Sequence, residues 1–280
     1  MSGRITRWHY SWNAYDQLVG VITPDGHRWR YHYDAIGQRC AKVRYAADGT
    51  TELHRVDFTW DGTRLAEQRT PDAVTTWSVE PGTAHPVVQV DRQSGDCAVR
   101  FHHVITDHLG SPRELVDPTG RVTWQSTTTV WGAPVRPGRS EAYCPLRLPG
   151  QYHDPETGLH YTMFRYYNPD TGRYLTPDPL GLAPAPDHYA YTTNPLRFVD
   201  PLGLTMCERF DNFRRQVSPG ELHRAPAPYP GGDAGHAFQR HGVTPEVQAS
   251  MLNNPDRVFS GTYRGETGSQ VSLTPVKSTS

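Results

Sequence analysis

A short unit returns through the first part of the chain. Tyr15-Asp16 is followed eighteen residues later by Tyr33-Asp34, and Trp60-Asp61-Gly62 repeats the idea further on. Each acidic–aromatic pair precedes a short loop and an apolar segment. Asp34 with Gly37, and Asp61 with Gly62, are turn chemistry: the Asp side chain caps the turn and the Gly supplies positive φ. The flanks alternate. In "RWRYHY" the pattern puts Trp29, Tyr31 and Tyr33 on one face of a strand. The unit therefore reads as strand, turn, strand, recurring roughly every twenty residues. Repeats of that size build an extended stack in which each unit buries a face against its neighbours. The expected fold is mainly β.

Composition agrees and removes several other classes. Gly and Pro number 25 each in 280 residues, beside 15 Tyr and 7 Trp, which suits short strands separated by tight turns. Aromatics at 11% argue against disorder. With 28 Lys+Arg against 29 Asp+Glu there is no overall charge to favour nucleic acid or an anionic membrane. No apolar run approaches the ~20 residues of a membrane span. The start, "MSGRITRWHYSW", lacks the apolar core of a secretory leader. The expectation is a protein made in the cytoplasm and, if exported, carried by a specialised system or as part of a longer chain. Cys40, Cys97, Cys144 and Cys207 are scattered without CxxC spacing, so the reading is free thiols, no metal and no cofactor.

The pentapeptide DPLGL occurs twice, at 178–182 and at 200–204. Each Asp precedes a proline and is pushed to extended geometry, while Gly181 and Gly203 permit a sharp turn. From the residues alone both copies read as strand–turn elements closing the array.

After Leu204 the character changes. A short helix is expected over Met206–Val217, then a Pro/Gly-rich stretch, Ser218–Gly235. Thr244, Pro245 and Glu246 read as the capped start of a helix running to about Asn253. "RVFSGTY" and "SQVSLTPV" read as two strands, making a small α+β unit. In "GHAFQRHG", His236 and Arg240 share a helix face at i, i+4, with His241 beside them. A proton-transferring His with an Arg to hold a phosphate is what metal-independent RNA cleavage needs. An ordinary helix end with solvated histidines is the plainer reading. Metal binding is disfavoured, because HxxxRH lacks an acidic or Cys ligand at the right spacing.

The Tyr-Asp units resemble the YD repeats of the RHS (rearrangement hotspot) family. "HVITDHLGSPRELVDPTGRVTWQSTTTVWGAPV" (103–135) and "LRLPGQYHDPETGLHYTMFRYYNPDTGRYLTPDPLGL" (146–182) are similar to that family's shell and core-associated motifs. Departures are small: Thr129 stands where an aromatic is common, and Leu148 where Phe is common. The resemblance covers roughly 1–204. It implies YD/RHS repeats over 1–135 as part of a β-shell, an RHS-associated core over 136–204, a linker over 205–235 and a variable effector over 236–280. It further implies that the core cuts its own chain after the second DPxGL, at Leu204–Thr205. Asp178 and Asp200 would be the reacting pair, in the manner of an aspartic protease, with Arg165 beside them. Two close carboxylates share a proton, one activating water while the other polarises the carbonyl.

The family also implies a polymorphic toxin, with a cognate immunity protein, secretion machinery and, on the ribonuclease reading, RNA as partners. The "GHAxxRHG" segment loosely resembles small ribonuclease toxins, in which Thr262, Tyr263, Ser272 or Lys277 on the late strands would complete the site. Three YD-like units are too few to enclose such a cargo, so the chain reads as a fragment of a longer frame or a displaced cassette. The rival expectation is a non-enzymatic surface or scaffold protein with an inert tail.

Overall fold

The structure is a computed structural model. It describes residues 7–80, 83–95, 98–136, 140–182 and 184–206, together with the backbone of two short strands near the C-terminus. Eleven strands form one antiparallel sheet: β1 (His9–Trp12), β2 (Leu18–Ile22), β3 (Arg28–Tyr33), β4 (Arg39–Tyr45), β5 (Glu52–Asp61), β6 (Arg64–Arg69), β7 (Ala73–Val79), β8 (Pro86–Gln93), β9 (Val99–Thr106), β10 (Pro112–Val116) and β11 (Val122–Gln125). Their order across the sheet is their order in the chain. No helix among the described residues is long and apolar enough to cross a membrane. The mainly-β expectation is met.

The turns explain the meander. Asp34 Oδ1 accepts from the amides of Ile36 and Gln38, the Gly37 amide donates to the Asp34 carbonyl, and Gly37 takes φ of 85°. Asp107 with Gly110 and Asp117 with Gly120 repeat this arrangement. The first Tyr-Asp pair works differently. Asn13 is the capping side chain, accepting from Tyr15 and Gln17, and Asp16 occupies the left-handed position at φ of 56° that Gly37 fills later. Asn13 and Asp34 are thus the equivalent residues, and the two Tyr-Asp pairs are not. Asp tolerates this conformation better than most residues because its short polar side chain bonds locally.

β12 (Thr127–Thr128) and β13 (Pro134–Arg136) form a small hairpin. The chain then makes a second antiparallel sheet from β14 (Tyr152–His153), β15 (His160–Tyr161), β16 (Tyr166–Asn168) and β17 (Arg173–Tyr174). This sheet lies on the face of the large one that carries Tyr31 and Tyr33, as the alternation in β3 predicts. Leu18, Val21 and Tyr31 pack with Leu159, Tyr161 and Tyr166, and Val56 and Phe58 with Tyr152. An ionic cluster locks the contact. Arg39 donates to both oxygens of Asp154, Lys42 to Asp154 at 2.9 Å and to Glu156 at 2.9 Å, and Tyr31 to Glu156 at 2.8 Å. Burial alone would raise the Asp154 carboxyl, but the two cations outweigh it and hold the group below its ordinary value.

β18 (Phe259–Ser260) pairs with β19 (Thr274–Pro275) inside the two stretches read as late strands. The expected helices, the linker and the side chains of that region lie outside the described residues.

Candidate active site

The two copies of DPLGL fold into the same turn. The amide of Gly181 donates to the carbonyl of Asp178 and that of Gly203 to the carbonyl of Asp200, with φ of 66° and 75° at the glycines. Asp178 Oδ1 accepts from the Leu180 amide at 2.8 Å. Asp200 Oδ1 accepts from the amides of Gly203, Leu204 and Thr205 at 3.0, 2.8 and 3.1 Å. The third of these is the nitrogen of the bond expected to be cut.

Both turns close on Arg165. Its Nη2 lies 2.7 Å from Asp178 Oδ2 and 3.2 Å from Asp200 Oδ2, so one nitrogen bridges two carboxylates. Arg165 sits one residue before β16, in the loop that leaves β15. Thr162 fixes that loop by donating to the Arg165 carbonyl at 2.7 Å and accepting from its amide at 3.2 Å. The guanidinium also donates to the carbonyls of Gly203 and His188. Arg165 is 2% exposed, Asp178 7% and Asp200 1%. An unpaired charge at such depth would be costly, which accounts for the number of partners. Burial pushes the Asp178 carboxyl up to about 7, against the pull of Arg165 and with a contribution from Asp200.

Leu204 is buried with Met163 and Leu202, backed by Phe164 and Leu180. Gly203 can be nothing larger, since a Cβ there would overlap Thr162 Oγ1. Thr205 is half-buried.

The return of Asp200 to Asp178 uses no strand among the described residues. The described residues between them form turns, bends and isolated bridges, one of which joins Ala190 to Arg173 of β17. Packing holds the excursion, with Tyr191 in a cluster with Tyr167, Tyr174 and Leu148. Asp187 is exposed and pairs with Arg173 at 2.8 Å, away from the pair. His236, Arg240 and His241 lie outside the described residues. Among the described residues no group of three or more His, Cys, Asp or Glu side chains could hold a metal ion.

Comparison with known proteins places the chain in a family. The RHS protein family model matches residues 101–136, and the RHS Repeat model matches 12–51. The probable deoxyribonuclease RhsA of Dickeya dadantii is 36% identical over 212 residues, 71% of this chain and 14% of that protein. The chain belongs to the RHS family. Other RHS relatives include the double-stranded DNA deaminase toxin A of Burkholderia cenocepacia, 34% identical over 70% of this chain and 15% of its own length. The toxin protein Tse5 of Pseudomonas aeruginosa is 37% identical over 62% of this chain and 15% of its own length. The chain thus spans about a seventh of these curated relatives. In fold it matches the TcdB2-TccC3 crystal structure with a TM-score of 0.58 at 22% identity, over 70% of this chain and 10% of the other.

Sequence reasoning missed a residue that touches both Arg165 and Asp200. Tyr174 donates to Asp200 Oδ2 at 3.0 Å, and its ring centroid lies 3.7 Å from the Arg165 guanidinium carbon. The signal was the tyrosine of "GRYL", which alternation alone assigns to the core.

Proposed function

We propose that this chain is the C-terminal part of an RHS polymorphic toxin whose core cuts itself after Leu204 and releases the segment from Thr205 onward. One observation carries the reading: aspartates from two copies of one pentapeptide meet on a single arginine nitrogen, and one of them holds the amide of Thr205. Five donors converge on Asp200, an environment suited to the anion. Asp178, with its carboxyl pushed up to about 7, retains a proton in a good part of the molecules at neutral pH. Asp200 draws a proton from water as its oxygen attacks the Leu204 carbonyl, and Asp178 polarises that carbonyl by donating to it. The C–N bond then breaks, the hydroxyl staying on Leu204 and the proton passing to the Thr205 nitrogen. Because the bond is tethered at the carboxylates, a modest catalyst is enough for one turnover.

The test is a denaturing gel of the expressed chain. Two bands are expected, of 204 and 76 residues, and Asp178→Asn and Asp200→Asn should each give one band. A scaffold role has its own support, since capping three amides is all that a structural Asp200 would have to do. That reading requires a single band in every variant.

The released part would be the effector. Relatives named for DNA deamination, deoxyribonuclease and tRNA cleavage support toxins of this kind acting on nucleic acids. For this chain we favour a metal-independent ribonuclease using His236, Arg240 and His241, with RNA as substrate. An immunity protein would protect the producing cell, and a secretion machine would deliver the toxin. Growth arrest on expression of the chain, lost in His236→Ala, checks the effector assignment. Unimpaired growth with the parent chain would remove it.

A further inference from the structure

Tyr174 is a buried phenol, the side-chain hydroxyl among the five donors on Asp200. β17 carries it into the space between the two DPLGL turns. Its hydroxyl donates to Oδ2 of Asp200 at 3.0 Å, the same oxygen that Arg165 Nη2 approaches at 3.2 Å. Its ring is stacked against the Arg165 guanidinium and held from behind by Tyr167 and Tyr191, at centroid separations of 5.7 and 5.9 Å. The hydroxyl therefore has little freedom to turn elsewhere. Among the described residues nothing equivalent touches Asp178, which takes one amide and the arginine.

We infer that Tyr174 is a positioning residue that makes Asp200, and not Asp178, the proton acceptor of the self-cleaving pair. The inference rests on the self-cleavage reading. Water activation needs the two carboxylates to differ; three backbone amides already favour Asp200 against one at Asp178, and Tyr174 adds a side-chain donor to the Asp200 oxygen that shares the arginine. A phenol that donates to one of them stabilises its anion and leaves the proton on the other. The ionisable groups facing Tyr174 are Asp200 and Arg165 from the site, Tyr167 from β16 and Tyr191 from the intervening segment, and those facing Asp178 are Arg165 and Asp200. Among the described residues none besides Tyr174 donates to one aspartate alone through its side chain.

The experiment uses the full chain recovered uncleaved from inclusion bodies in denaturant and then diluted into a series of buffers from acid to alkaline, with the two bands followed in time. Tyr174→Phe keeps the ring on Arg165 and removes the hydroxyl. Its cleavage should be at least about tenfold slower, and the acid limb of its pH–rate profile should move up by about one unit. Replacing Tyr174 with 3,5-difluorotyrosine strengthens the donor and should move the limb the other way, which keeps the test informative if the Phe variant folds poorly. An acid limb that stays in place in both variants, whatever the rate, overturns the inference. A parent chain that never cleaves overturns the self-cleavage reading itself.

Discussion

The amide of Thr205 donates to Oδ1 of Asp200 at 3.1 Å, reaching back to a carboxylate five residues earlier in the chain. A local turn thus carries a peptide nitrogen to a buried acid that also pairs with Arg165. The turn and the ion pair are one object, so changes to either should register in both stability and cleavage.

The two aspartates should separate on stability. Asp200→Asn removes an anion that five donors surround and should cost about 3–5 kcal/mol, the range for breaking a buried pair. Asp178→Asn replaces a carboxyl that already keeps its proton in part and should cost markedly less. Urea midpoints of the two variants make the comparison.

Asp178 also predicts a pH dependence. Its pKa is raised from 3.8 to about 7 on folding, so between those values the folded chain binds more protons than the unfolded one. Stability should therefore fall as pH rises through that window, by an amount on the order of a few kcal/mol, and level off above it. Asp178→Asn should lose this slope in denaturant titrations taken across pH. Cleavage should also slow above pH about 7, as Asp178 gives up the proton it donates.

Two glycines with similar backbones should answer differently to alanine. Gly150 has φ of 78°, and a Cβ there would overlap the carbonyl of Pro201, next to Asp200. Gly158 has φ of 74° with open space around it. Gly158→Ala should cost about 1 kcal/mol of backbone strain and cleave normally. Gly150→Ala should displace the second DPLGL turn and slow band formation strongly.

Asp154 anchors the small sheet to the large one. Asp154→Asn leaves Arg39 buried without its anion and Lys42 with Glu156 alone, and should destabilise by about 3–5 kcal/mol. Thermal unfolding by circular dichroism measures it.

The legible part of the sequence was local. Asp34 with Gly37 announces its turn because cap and positive φ are set within five residues. The same reading misaligned Tyr15-Asp16 with Tyr33-Asp34, since an Asp can serve either as cap or as the left-handed residue, and only neighbouring hydrogen bonds tell which. The meeting of Asp178 and Asp200 was legible only through the family resemblance, since the recurring pentapeptide by itself reads as two structural turns, and the irregular path between them was not legible, because side-chain packing around Tyr191 helps to hold it. Arg39 on Asp154 spans 115 residues. No pattern within a window of sequence joins such partners.

Each strand of the large sheet hydrogen-bonds to its neighbours in the chain, with no crossover. A ribosome delivering this polypeptide can therefore lay down one hairpin after another, every contact closing a short loop. The Asp200 turn emerges after all of them, and its carboxylate pairs with Arg165 of the small sheet's β15–β16 loop. On the self-cleavage reading, scission then acts as a checkpoint, severing the cargo only from a chain whose casing is already in place.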